Sequence, residues 1–157
     1  MRRNLMLLLL LVAAWTASGA SEEAIAHVLD DFHAAAAAAD EQRYFAHFAP
    51  EGVFLGTDAT ERWTVAEFRE YAHPHFSEGH GWTYVPHDRH VMLSGDGTLA
   101  WIDEKLTNEK YGELRGTGVL RKIDATWKLV HYSLTFTIPN EKSLAVVATL
   151  QDGSPQD

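Results

Sequence analysis

Gly52-Val53-Phe54-Leu55-Gly56-Thr57-Asp58-Ala59-Thr60-Glu61-Arg62-Trp63 carries an apolar strand straight into a polar corner with two carboxylates, a guanidinium and an indole. The residues that follow, Thr64-Val65-Ala66-Glu67, form a capping box, in which Thr64 and Glu67 each satisfy an orphan backbone N–H of a starting helix. Strand, corner and helix entry in one short stretch mark a domain that mixes α and β structure.

Working outward from this corner extends the pattern. Upstream, Ser21 is an N-cap, and Glu22 and Glu23 fall in the first turn, where the helix dipole favours acids. Ile25, Val28, Leu29, Phe32 and Ala36 then recur at helical spacing. Gln42 to Phe48 read as a second short helix with Phe45 and Phe48 inward, stopped by Pro50. Downstream, Val65, Phe68 and Ala72 mark the inner face of a third helix, which Pro74 is expected to end at or before His73. After about Gly81 the chain reads as strands: Trp82 to Val85, His90 to Leu93, Leu99 to Thr107, Thr117 to Ile123 and Trp127 to Thr137. Ser94-Gly95-Asp96-Gly97, Tyr111-Gly112 and Asp124-Ala125 are the turn signals between them. Helices followed by antiparallel strands give an α+β fold.

The N-terminus has the form of a secretory signal: Arg2 and Arg3, an apolar run from Leu5 to Trp15, then Ser18-Gly19-Ala20 as a cleavage site. That run is shorter than the ~20 residues a spanning helix needs. The expected organisation is a signal peptide at 1–20, one domain at 21–140, and a partly disordered C-terminal tail at 141–157. Cleavage would leave about 137 residues, enough for one domain with a real core. It would also remove two of the 13 basic residues against 22 acidic ones, so the net charge would move from −9 to about −11. Such a surface repels nucleic acid and anionic lipid, so neither a nucleic-acid partner nor a stable membrane anchor is expected. With no cysteine, there can be no disulfide, thiol nucleophile, cysteine zinc site or lipidated cysteine.

The residues with chemistry to offer have competing readings. Asp58 and Glu61 sit on a loop at an element end, a common place for function. Either is a general base or ligand acceptor at a cavity mouth, or Asp58 caps the turn while Glu61 pairs with Arg62 or Arg115. Arg115 precedes Gly116-Thr117-Gly118, where strand glycines mark a bulge or a close approach. It orients an anion or carboxylate, or it pairs with Asp103, Glu104 or Glu61. Asp103 and Glu104 point to opposite faces of their strand, so only one can enter a cavity, and it must be paired or used. On the last strand, period-2 counting puts Trp127, Leu129, His131, Ser133 and Thr135 on one face. Tyr132 and Phe136 then form an outer aromatic face suited to a homodimer. His131 is a candidate acid/base residue. His73, His75, His80, His87 and His90 lack the spacing of a metal motif, and neither metal nor cofactor is expected.

The order of elements resembles the nuclear-transport-factor-2-like (NTF2-like) superfamily, and more narrowly its SnoaL-like branch. The matching residues include Tyr44 to Phe54, Gly56-Thr57-Asp58-Ala59 with Glu61 and Trp63, Gly81-Trp82-Thr83-Tyr84, Ala100-Trp101, Arg115 to Leu120 and Trp127 to Tyr132. The resemblance implies about three N-terminal helices packed on a curved, mainly antiparallel sheet that encloses a conical pocket. It does not select an activity, because isomerases, cyclases, dehydratases, epoxide hydrolases and binding modules share that fold.

The expected function is therefore an exported domain, periplasmic or secreted, that binds a small, largely apolar organic molecule. Glu61, Trp63, Trp82, Trp101, Arg115, Thr117 and Ser133 are its candidate ligand contacts. One alternative is an enzyme using Asp58 or Asp103 as base, Arg115 as orienting cation and His131 as auxiliary acid. The other is a dimeric interaction module with a vestigial pocket.

Overall fold

A computed structural model describes residues 21–151; the expected signal peptide and the last six residues of the tail lie outside them. Helix α1 covers residues 21–37. Helix α2 (Glu41–Ala46) starts from Asp40, whose carboxylate accepts the Arg43 N–H. Strand β1 (Phe48–Leu55) begins at Phe48, the residue expected to close the second helix, and β2 is the short piece Arg62–Thr64. Helix α3 (Val65–Ser77) begins at the expected capping box, with both reciprocal hydrogen bonds made. It runs through Pro74 to bury Phe76. Proline costs one helical hydrogen bond and crowds the carbonyl four residues before it, but the turn beyond it is tied by Ser77 Oγ to the Pro74 carbonyl and by the Gly79 N–H to Phe76.

Four long strands follow: β3 (Val85–Leu93), β4 (Leu99–Asn108), β5 (Gly112–Ile123) and β6 (Thr126–Phe136). The expected strand at Trp82–Val85 starts only at Val85. Residues 81–84 instead cross the end of α1, where the Trp82 N–H reaches the Ala36 carbonyl and Gly81 leaves no room for a Cβ. The sheet is mixed and unclosed, in the order β2-β1-β6-β5-β4-β3, with β1 and β6 parallel and every other pair antiparallel. It curves around α1 and α3. The core between them is aromatic: Phe32 stacks on Tyr44 at 4.6 Å and meets Tyr132 at 5.2 Å, while Phe54 stacks on Phe68 at 4.1 Å. After a 3₁₀ turn (Asn140–Lys142), helix α4 (Ser143–Gln151) has no buried residue.

Two irregularities decide which side chains face the core. In β6, Leu129 pairs with Leu120 but His131 pairs with Val119, so Val130 is an extra residue. Such a bulge shifts the alternation by one. Trp127 and Leu129 face inward before it, and Tyr132 and Leu134 face inward after it. The expected common face of Trp127, Leu129, His131 and Ser133 is thereby corrected: His131 and Ser133 turn outward, and Tyr132 is core rather than an outer aromatic. In β3 the register shifts between His87 and His90, with Asp88 at φ 49°. That bulge leaves Arg89 free to turn under α1.

Candidate functional site

The concave side of the sheet ends on a buried polar cluster. Glu104 of β4 is 1% exposed and His33 of α1 is 6% exposed. His33 Nε2 lies 2.8 Å from Glu104 Oε1, and the same oxygen accepts the Tyr132 hydroxyl at 2.9 Å. Arg89 Nε donates to Glu104 Oε2 at 2.7 Å. Arg89 Nη1 donates to Asp30 and to the Ala26 carbonyl, whereas Nη2 is buried without a partner. Burial works against a charged Glu104, but the His33 hydrogen bond and the Arg89 charge and hydrogen bond outweigh it and hold the carboxyl below its ordinary value. Burial and the neighbouring Glu104 charge push the Tyr132 phenol well up, so it stays a donor. An ionised Glu104 can only accept, so His33 places its proton on Nε2 and keeps Nδ1 as the ring's acceptor.

Gly116 makes this cluster fit. A Cβ there would lie 2.1 Å from the Tyr132 hydroxyl and 3.2 Å from Glu104 Cγ. The strand glycines therefore clear space for Tyr132.

His33 and Tyr132 line a cavity of about 20 Å³ together with Phe32, Tyr44, Trp82 and Leu106. That volume holds one water molecule. Above it opens a cleft of about 270 Å³, and the two share Phe54, Trp82, Tyr84 and Leu134 as walls. Gly56, Thr57, Glu61, Trp63, Phe68, Tyr71 and Tyr111 complete the cleft. The whole is a cone with an aromatic mouth and a hydrogen-bonding floor. Its size is near the lower end of the ~300–1,000 Å³ usual for small-molecule sites.

The sequence candidates divide sharply against this geometry. Glu61, Trp63 and Trp82 line the cleft. Asp58 is spent on its own turn: its Oδ1 accepts the N–H and hydroxyl of Thr60, which hold its carboxyl below the ordinary value. Trp101, Asp103, Arg115, Thr117, His131 and Ser133 do come together, but on the outer face. Trp101 pairs in register with Val119 and that with His131; Asp103 pairs with Thr117 and that with Ser133. Asp103 meets His90 at 3.1 Å, and Arg115 stands opposite Lys105 with no carboxylate paired to it among the described residues. Glu104 is the inner acid, and its cation is Arg89 rather than Arg115.

His33, Arg89 and Tyr132 escaped the sequence reading. For His33 a signal was present: it follows Leu29 by four residues and so shares the apolar stripe of α1. Arg89 and Tyr132 carried none, because bulges re-aim both. Among the described residues no group of three or more histidine and acidic side chains could hold a metal ion, and no helix is long and apolar enough to cross a membrane.

A family model described as a SnoaL-like domain matches residues 25–139. No curated protein matches the chain. Among solved structures, a Nostoc punctiforme domain of unknown function with a cystatin-like fold superposes with a TM-score of 0.70 at 15% identity, over 84% of this chain and 86% of that one. A provisionally assigned dehydratase of the NTF2-like family from Streptomyces avermitilis gives 0.66 at 12% identity, over 77% and 99%. A provisionally assigned scytalone dehydratase from Novosphingobium aromaticivorans gives 0.65 at 12% identity, over 77% and 87%. At these identities the likeness establishes the NTF2-like fold alone.

Proposed function

The chain belongs to the SnoaL-like family, and on that footing we propose that it binds a small, largely apolar organic molecule in the cone. The observation that carries this reading is the aromatic cleft of about 270 Å³ sharing its walls with the small cavity at His33 and Tyr132. Apolar walls supply most of the binding free energy and a few polar groups fix orientation. A thermal-shift screen across steroids, polyketides, terpenoid epoxides and small aromatic acids tests it. At least one class is expected to raise the melting temperature and to quench tryptophan fluorescence. Absence of both effects across the panel would remove the reading.

A second reading is favoured by the cluster at the floor. Backed by Glu104, His33 is a general base whose Nδ1 serves a substrate or water in the cone. The likeness to two provisionally assigned dehydratases supports acid/base chemistry of that kind. For any panel compound that is turned over, His33→Gln is expected to abolish turnover while binding persists. Asp58→Asn and Asp103→Asn are expected to retain turnover.

Two further proposals rest on the sequence. The residues 1–20 support export to the periplasm or medium. Pairing of two copies through the outer sheet face is supported by Trp101, 45% exposed between Met92 and Val119 of the neighbouring strands.

A further inference from the structure

Resting on the cone as a small-molecule site, we propose that its outer cleft takes an organic cation, an ammonium group carried on an apolar body. Among the described residues eleven line the cleft, of which seven are aromatic and one, Glu61, is charged. Trp63 and Tyr71 stack at 4.8 Å with their planes 22° apart. Tyr84 lies within electrostatic reach of Tyr111, Glu61 and Tyr71; burial first, then these three neighbours, push its phenol up. Electron-rich rings and one carboxylate therefore face the same space. Ring faces attract a cation, most strongly where water is excluded, and the carboxylate adds to that attraction.

Glu61 is placed for this role. The absent side chain of Gly56 gives it room, since a Cβ there would lie 2.1 Å from Glu61 Oε2. That oxygen accepts the Asp58 N–H at 3.1 Å, which fixes the carboxylate at the cleft wall. Among the described residues no lysine or arginine lines the cleft to neutralise it. The rim already holds one ammonium: Lys110 Nζ sits 5.0 Å from the centroid of the Tyr111 ring. The formal net charge of −9 steers cations toward the molecule and anions away. A neutral ligand would have to desolvate Glu61 without pairing it, which costs free energy.

The experiment uses three matched probes on the full chain, read by tryptophan fluorescence. They are benzyltrimethylammonium, its uncharged carbon isostere neopentylbenzene, and phenylacetate as the anion. The cation is expected to bind at least tenfold more tightly than the isostere, with phenylacetate weakest. Glu61→Gln is expected to lower the affinity for the cation about tenfold. Equal binding of cation and isostere would overturn the inference and leave the small-molecule reading of the cone standing. Absence of binding by all three would overturn both. A cation preference that survives Glu61→Gln would overturn the part assigned to Glu61.

Discussion

Asp103 and Glu104 are consecutive on β4, yet they occupy different media. Asp103 lies on the outer face, half in water, with a single exposed histidine beside it. Glu104 is enclosed and takes hydrogen bonds from His33, Tyr132 and Arg89. The two acids differ in what they cost. A solvated carboxylate at a sheet surface is nearly neutral for stability. A buried one persists because donors meet both of its oxygens, and losing a partner exposes the desolvation penalty. That difference makes Glu104 and its partners the part of the sheet fit to do chemistry.

Removing each acid in turn is the harshest way to break the comparison. Glu104→Ala strands Arg89 under α1 and is expected to cost about 3–5 kcal/mol by urea unfolding. Asp103→Ala is expected to leave the urea midpoint close to that of the natural protein. Glu104 also predicts a direction with pH. Its carboxyl titrates lower in the folded state than its ordinary 4.5. Its contribution is therefore present above that value and is lost as pH falls below it. Stability measured from pH 7 to pH 3 is expected to fall along this limb, and Glu104→Gln is expected to flatten it.

A gentler perturbation comes from the glycines behind the cluster. Gly116→Ala drives a methyl into the Tyr132 hydroxyl, and that ring is fully enclosed and tied to Glu104. Overpacking of this kind is expected to cost about 1–3 kcal/mol. Gly118→Ala meets its neighbours at 3.2 Å and should cost less. Equal costs would mean that Tyr132 is not pinned. On the exposed side, Thr64→Ala removes the cap of α3 and is expected to cost about 1 kcal/mol. The smallest effect is at the β5–β6 turn, where Asp124 and Ala125 both have positive φ. Ala125→Gly is expected to raise stability by about 0.5 kcal/mol.

Much of this was legible in the sequence, for physical reasons that also explain what was not. The helical stripe of α1, the capping box at Thr64 and the turn residues of the sheet are local signals, and they gave the α+β order of elements directly. The NTF2-like cone came through the resemblance carried by those same segments. The site was legible only at its mouth. Glu61, Trp63 and Trp82 sit beside the corner or the end of α1, where chain direction is set locally. The floor depends on alternation along β3 and β6, and one extra residue in each strand inverts it. Val130 sends His131 out and Tyr132 in; the bulge at Asp88 turns Arg89 beneath α1. No pattern of apolar and polar residues announces such a bulge, so period-2 counting along the last strand kept His131 and Ser133 on the face of Trp127 and Leu129, and the inner acid of β4 stayed open between Asp103 and Glu104. His131, Ser133 and Asp103 belong to the outer face.

The comparison converges on one atom, His33 Nδ1, which the Glu104 carboxylate leaves as an acceptor at the base of the cone. Nitrogen-15 NMR of the histidine side chains, at a pH where the ring is uncharged, observes it directly. His33 is expected to carry its proton on Nε2, and its Nδ1 resonance is expected to move when a molecule from the screen fills the cleft, while His131 stays unchanged. A proton on Nδ1, or a His33 signal indifferent to a ligand that quenches the tryptophans, would contradict it.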